Sequence, residues 1–291
     1  MENQLIHLYL LVCQTYDTCS NSCFQRLSNN HQPTFTDQEL VTIFFFGHQH
    51  GLFEKKAIYQ LTVNYWQAWF PHLPSYQTFC YRLNLLEQTF QSMGGAWLDW
   101  LSAAQVPEID HLIDSFPIML AKQGHAFNAK VAREVANRGY CAAKKTHFHG
   151  VRLHTVAHRR SGKLPLPNLI WLREASTHDL QSVREQAIGL PDSTLFGDKA
   201  YLDPKLKLSL EAQHTRLSTP IKKPKGKELS ALEKSHNRML NRLRQPIESL
   251  FNWLNEKTHI QTASKVRSTS GLMVHCFGKL AFAVLLLVFN Y

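Results

Sequence analysis

The feature that most constrains the fold of this sequence is a change of pattern near residue 106. Beyond that point, short apolar runs alternate with amphipathic segments. The pattern predicts strands at 108–115, 148–157, 169–172, 195–196 and 216–220, with the first ending at Pro117. It predicts helices at 179–190, at 204–213 and over most of residues 232–291. Three strands followed by alternating helices and strands predict an α/β fold with one mixed sheet flanked by helices.

The preceding residues, 1–105, predict a smaller all-α domain. Thr36 is followed three residues later by a glutamate and then by an apolar run, which is typical of a capping box at a helix start. Ser75 is predicted to cap a further helix. Two short helices joined by residues 72–75 would form a helix-turn-helix, with Arg82 on the outward face of the second helix. The alternative is a plain helical bundle that forms dimer contacts.

Charge is divided unevenly along the chain. The net charge of +10 arises from 32 Lys and Arg against 22 Asp and Glu. Residues 1–108 contain four basic and eight acidic side chains, whereas residues 119–173 contain eleven basic side chains and Glu134 as their one acid. Neutralising phosphates releases counterions, so such a basic block predicts a nucleic-acid partner.

Location is predicted from what the sequence lacks. The longest apolar run, 280–289, is shorter than a membrane span and predicts a buried C-terminal helix. The N-terminus has no basic start or cleavage site of a signal peptide, and six cysteines are too few for a disulfide framework. We expect a soluble, cytoplasmic protein.

Three carboxylates stand where acids are locally unexpected. Asp114 interrupts an apolar strand, Asp198 directly follows another strand, and Glu248 lies beside the apolar stripe of a helix. A charge near a core is costly unless it is paired or bound to metal. Converging carboxylates suit Mg²⁺ or Mn²⁺, and two such ions would serve an in-line phosphoryl displacement. Asp110 is an alternative to Asp114 if the strand register differs.

These acids lie in segments that resemble a known family. LIDSFPI (112–118), GDKAY (197–201) and NRLRQPIESLFNWL (241–254) resemble the three catalytic blocks of DDE transposases from bacterial insertion sequences. The similarity covers about residues 108–275. It implies an RNase H-like fold.

The resemblance also implies roles. Asp114, Asp198 and Glu248 would be the catalytic triad and the metal ligands. Residues 106–291 would form the catalytic domain, and residues 1–105 would bind the DNA ends or dimerise. The implied activity is cleavage of element ends in double-stranded DNA and transfer of the 3′-OH ends into target DNA, by a homodimer acting at the bacterial nucleoid with no membrane partner.

A related family signature places Tyr, Arg, Glu and Lys at fixed spacing. Arg244 and Glu248 match it, but Asn241 and Asn255 replace the Tyr and the Lys. Pro246 is predicted to start or kink the helix that carries this signature. The candidates for DNA contact are Lys144, Lys145, Arg159, Arg160, Lys199, Tyr201 and Arg244.

Other interpretations remain open. His147 and His149, with a nearby tyrosine, match the metal site of rolling-circle nucleases, although alternation along a strand explains the pair as well. A zinc site would need these ligands: Cys13, Cys19, Cys23 and His31. Functional alternatives are a catalytically silent DNA-binding protein derived from a transposase, and an RNase H-like nuclease that cuts without joining.

Overall fold

The computed structural model describes residues 1–19, 33–103, 109–186 and 188–289. It divides into two compact units: a helical unit of Met1–Gln105 with Leu254–Tyr291, and a sheet unit of Val106–Trp253. The boundary predicted from the sequence also falls after residue 105. The sequence assigns residues 254–291 to the second domain, however, whereas the structure groups them with the first.

Helices make up the helical unit, and the sheet unit combines strands with further helices. The α-helices in the described residues are α1 (Glu2–Thr18), α2 (Asp37–Gln49), α3 (Lys55–Leu61), α4 (Tyr76–Asn84), α5 (Glu87–Ala103), α6 (Gly124–Phe127), α7 (Asp179–Glu185), α8 (Pro204–Glu211), α9 (Ala231–Thr258) and α10 (Thr269–Phe289). A π-helix, Thr62–Trp66, follows α3, and a 3₁₀ turn, Lys199–Tyr201, follows β5. The strands are β1 (Asp110–Lys122), β2 (Asn137–Cys141), β3 (Thr146–His158), β4 (Leu166–Glu174), β5 (Ser193–Phe196) and β6 (Thr215–Ser218).

The predicted helix caps of the helical unit are confirmed. The Thr36 hydroxyl accepts a hydrogen bond from the N–H of Glu39, whose carboxylate accepts one from the N–H of Thr36. Ser75 caps α4. The prediction that Arg82 faces outward is wrong, because its guanidinium lies 2.7 Å from the buried carboxylate of Asp37 and is itself mostly buried.

The C-terminal helix α10 belongs to the core of the helical unit. By length and composition alone it could cross a membrane, but 67% of its most apolar 18-residue stretch is buried inside the protein. It packs against α5. The predicted buried helix at residues 280–289 is therefore part of a longer one.

The sheet unit contains one six-stranded mixed sheet. Its order is β2-β3-β1-β5-β6, and β4 pairs with the same edge of β3 as β2, further along that strand. β1 pairs antiparallel with β3 and parallel with β5, which is in turn parallel to β6. The apolar side chains of α7 and α8 join the sheet in a common core. The predicted α/β class with one mixed sheet is confirmed.

Two details of the sheet differ from the prediction. β1 does not end at Pro117 but continues to Lys122. Proline has no N–H to donate to a neighbouring strand. It is tolerated at 117 because, in the described residues, β5 pairs only with Asp110–Leu112 of β1 and does not extend as far as Pro117. The short strand β2 is not predicted from the sequence, since its five residues, NRGYC, show no apolar alternation.

Candidate active site

Asp114 lies on β1, opposite Thr155 of β3. Its Oδ1 accepts a hydrogen bond from the backbone N–H of Ser115 at 2.8 Å, and its Oδ2 accepts one from the Arg244 guanidinium at 3.3 Å. Burial raises the pKa of Asp114 to about 7, and the Ser115 N–H and the Arg244 charge only partly oppose this effect. The carboxyl group is therefore costly to ionise unless more positive charge is brought near it.

The register of the parallel strands brings the second predicted acid beside the first. The last paired residues of β1 and β5 are Leu112 and Phe196, so Asp114 and Asp198 each lie two residues further along the chain. Neighbouring strands are about 5 Å apart, and the charge of Asp198 adds to the raised pKa of Asp114. Asp198 also caps the 3₁₀ turn Lys199–Tyr201 by accepting a backbone hydrogen bond at 2.8 Å.

A further acid, Asp179, joins this group, although the sequence places it only at the start of the predicted helix 179–190. It lies in the first turn of α7 and accepts a hydrogen bond from Ser115 Oγ at 2.6 Å. On β3, Arg152 lies 4.0 Å and His154 3.8 Å from the same carboxylate oxygen. Burial lowers the pKa of His154 to about 4, so the positive charge near Asp179 comes from Arg152 at neutral pH. The approach of α7 to β3 is a tertiary contact, which no local pattern predicts.

Tyr201 lies beneath these acids. Its side chain is 1% exposed, and within the described residues its hydroxyl has no hydrogen-bond partner. Burial raises its pKa well above the usual value of 10, and the charges of all three acids raise it further. Gly197 permits this position, because a Cβ there would lie 2.8 Å from the Tyr201 ring. The prediction that Tyr201 contacts DNA is therefore corrected: it lies in the protein interior.

Glu248, the third residue of the predicted triad, is exposed on α9. This helix is continuous across Pro246, so no helix starts there as predicted. Because the helix is continuous, Arg244 and Glu248 lie one turn apart. Arg244 contacts Asp114, whereas Glu248 lines a cavity of about 560 Å³. The other residues that line this cavity are Leu229, Lys234, Asn237, Arg238, Asn241, Arg242 and Gln245.

The chemistry of these acids suits a hard divalent cation, although the triad is not assembled. Asp114 and Asp198 offer carboxylate oxygens, and a cation would offset the unfavourable burial of Asp114. Within the part of the chain that the structure describes, no three acidic, imidazole or thiol side chains are close enough to hold a metal ion. The structure therefore brings Asp114 and Asp198 together and leaves Glu248 outside their group.

The predicted DNA contacts differ in exposure. The exposed ones are Lys144, Lys145 and Lys199. Arg159 is half-buried, 3.6 Å from the carboxylate of Asp110, which gives that alternative acid a structural partner. Arg160 is also half-buried, and its Nε donates to a backbone carbonyl at 2.8 Å. Arg244 is held by Asp114, so its position suits electrostatic support of the acids better than a free contact with DNA.

The rival metal sites receive little support. His149 is buried and its Nε2 lies 2.8 Å from the carbonyl oxygen of Val131, whereas His147 is exposed. The two imidazoles share a face of β3 but lie in different environments, since His149 is buried and its ring bonds to a backbone carbonyl. The zinc hypothesis involves Cys23 and His31, which lie outside the described residues.

Comparison with known proteins agrees with this geometry. A search of curated proteins found no match. The sequence model of a family described as "Transposase DDE domain" matches residues 104–269, which is more than half of the chain and includes all three predicted acids. The mixed sheet flanked by helices is consistent with the RNase H-like fold implied by the sequence resemblance. The chain belongs to the DDE transposase family.

Proposed function

We propose that this transposase cleaves double-stranded DNA at the ends of its own mobile element and joins the freed 3′-OH ends to target DNA. The observation that carries the proposal is the register of β1 and β5, which sets Asp114 and Asp198 side by side. Two neighbouring carboxylates, one on β1 and one just after β5, on a strongly basic chain, suit phosphoryl transfer on a polyanion. Asp114, Asp198 and Glu248 are the proposed catalytic residues.

The proposed cofactor is Mg²⁺ or Mn²⁺, as two ions, with Asp114, Asp198 and Glu248 as ligands. A bound divalent cation would activate a water and stabilise charge on the phosphate oxygens. The chain supplies the electrostatic setting. Arg244 favours the ionised form of Asp114, and Asp179 fixes the Ser115 hydroxyl next to it.

The remaining parts of the proposal concern DNA and assembly. Exposed lysines at 144, 145 and 199 bind phosphates. Residues 1–105 bind the element ends or mediate dimerisation, and a homodimer would bring two ends together. The protein acts on DNA in the bacterial cytoplasm.

The test is a cleavage and joining assay with purified full chain. The substrate is labelled duplex DNA carrying the sequences that flank the gene, mixed with unlabelled target DNA, in Mg²⁺ or in Ca²⁺. The variants are Asp114→Asn, Asp198→Asn and Glu248→Gln. Matched controls are Asp192→Asn, in an exposed loop, and Glu256→Gln, which is exposed on the same helix as Glu248.

We expect cutting and joining with Mg²⁺, lost in the three variants and kept in both controls, while DNA binding persists throughout. Cleavage that survives Glu248→Gln would remove Glu248 from the catalytic set. Cutting without joining would indicate a nuclease, and binding without chemistry in any metal would indicate a catalytically silent DNA-binding protein.

A further inference from the structure

The hairpin formed by β2 and β3 presents aromatic rings to solvent. Tyr140 and His147 are cross-strand partners whose ring centroids lie 4.9 Å apart. The ring of Phe127, at the end of α6, lies 6.1 Å from His147, and the guanidinium of Arg138 lies 4.7 Å from the Phe127 centroid. Phe127 is 57% exposed and Tyr140 is 47% exposed. We refer to Phe127, Arg138, Tyr140 and His147 as the aromatic–cationic patch.

The fold does not need these rings for its core. Side chains alternate along the hairpin, and the opposite face is the buried one. There, Cys141 and Phe148 form a small cluster with Met119 and Ala175. The rings of the aromatic–cationic patch are therefore available to a ligand.

Charge around the patch is positive. Lys144 and Lys145 are exposed in the turn that joins β2 to β3. Arg133 is exposed as well, and with Phe127 and Arg138 it lines a concavity of about 490 Å³. A polyanion would meet cations on two sides of the rings.

We propose that the aromatic–cationic patch binds single-stranded DNA by stacking its unpaired bases. Exposed aromatic and guanidinium planes stack on the faces of bases, and nearby lysines bind the phosphates. A duplex hides its base faces, so the patch discriminates in favour of single strands. Phe127 and Tyr140 carry the stacking, and Lys144 and Lys145 carry the charge.

This site is separate from the acids. Asp114 and Lys122 are eight residues apart on β1, about 25 Å at strand spacing, and Lys122 pairs with Phe148 beside the hairpin. In one respect the inference rests on the proposed function, because cleavage and joining of DNA ends supply unpaired strands. The binding itself requires no cleavage.

The test is fluorescence anisotropy with full-length protein in EDTA, where no metal-dependent cleavage occurs. The probes are a labelled single-stranded oligonucleotide, its duplex, a strand of the same length with abasic sites, and RNA of the same sequence. The variants are Phe127→Ala, Tyr140→Ala and the conservative Phe127→Trp. The control is Leu208→Ala, since Leu208 is a large apolar side chain that is 67% exposed on α8, outside the segments proposed to bind DNA.

Each alanine variant is expected to raise the dissociation constant for single-stranded DNA at least about fivefold. Phe127→Trp and Leu208→Ala should change this dissociation constant less than twofold. No variant should change the dissociation constant for the duplex or for the abasic strand by more than twofold. Thermal unfolding confirms that each variant is folded.

Unchanged single-strand binding in the Phe127→Ala/Tyr140→Ala double variant would overturn the proposal. Equal weakening on the abasic strand would show that the rings do not stack on bases, and a tenfold preference for RNA would overturn the assignment to DNA. Asp198→Asn should bind the single strand as the wild type does. If the patch binds single strands in EDTA but the cleavage assay with Mg²⁺ shows no chemistry, the proposed function alone is contradicted.

Discussion

Replacing Asp114 by asparagine is expected to stabilise the protein, and to do so more strongly at pH 8 than at pH 5.5. The physical reason is the burial of the carboxyl group, which raises its pKa from 3.8 to about 7. Asparagine has nearly the same shape and does not ionise. Its single amide oxygen can accept the hydrogen bond of either Ser115 or Arg244 but not of both, since the two donors approach different oxygens of Asp114.

The size of the effect follows from proton linkage. Between pH 4 and 7 the folded protein keeps a proton on Asp114 that the unfolded chain has lost, so stability falls as the pH rises through this window and levels off above it. At 1.36 kcal/mol per pKa unit, the raised pKa lowers stability by about 2 kcal/mol at pH 5.5, where the folded protein keeps the proton, and by about 4 kcal/mol at pH 8. The side chain is 23% exposed, so solvent screening makes these upper values. The advantage of Asp114→Asn should therefore grow by up to about 2 kcal/mol, or about 4–8 °C in Tm.

Thermal unfolding followed by circular dichroism at several pH values between 5.5 and 8 measures this difference. Asp192→Asn is the matched control, because it makes the same chemical change at an exposed position. A Tm difference between Asp114→Asn and wild type that stays constant or shrinks with rising pH would refute the assignment of a buried, hard-to-ionise carboxyl at Asp114.

Two further predictions test the geometry of the site. Gly197→Ala should lower Tm by about 2–12 °C, because the new Cβ would press against the buried Tyr201 ring and overpacking costs about 1–3 kcal/mol. Gly189→Ala is the control and should leave Tm unchanged, since no atom lies within 4 Å of its new Cβ. Differential scanning calorimetry checks both, and equal melting would mean that the ring moves aside. Excess Mg²⁺ should raise the Tm of the wild type, because binding adds about 2.7 kcal/mol to the free energy of unfolding at a hundredfold excess over Kd. It should raise the Tm of Asp198→Asn less. Equal rises would contradict Asp198 as a ligand.

Local signals account for what the sequence predicts well. The capping residues Thr36 and Ser75 act on the N–H groups of their own helices, so their side-chain chemistry is sufficient to locate the helix starts. Asp114 interrupts an apolar run and Asp198 directly follows another, and these local signals, together with the family resemblance, single out both acids. These features depend on few residues close in the chain.

Long-range packing accounts for what the sequence does not predict. β2 contains Gly139, which lies so near the Ala175 backbone that a Cβ would sit 2.3 Å from its carbonyl oxygen. That contact, and the approach of Asp179 to Ser115, exist only in the assembled sheet unit. Pro246 predicts a start or a kink of the helix, and the structure contradicts the start, since α9 is continuous across it.

Arg244 links the acids to α9, and a double-mutant cycle with Asp114 measures the strength of this link. The rings of Phe116 and Phe251, 4.6 Å apart, hold α9 against β1. On the same helix, the Arg244 guanidinium lies 3.3 Å from the Asp114 carboxylate. The side chain of Arg244 is 12% exposed and that of Asp114 is 23% exposed. Arg244→Gln removes a charge that favours the ionised carboxylate, so the pKa of Asp114 should rise further.

At pH 8, Arg244→Gln should therefore destabilise the wild type but have a smaller effect once Asp114 is asparagine, with a coupling energy of about 0.5–3 kcal/mol. At pH 5.5, where more of the folded protein carries the proton on Asp114, the coupling should be weaker. Chemical denaturation of the four proteins gives both values, and zero coupling at pH 8 would show that the pair contributes nothing. A coupling at pH 8 would show that Arg244 of α9 faces the acids, and Glu248 lies one helical turn further along the same helix.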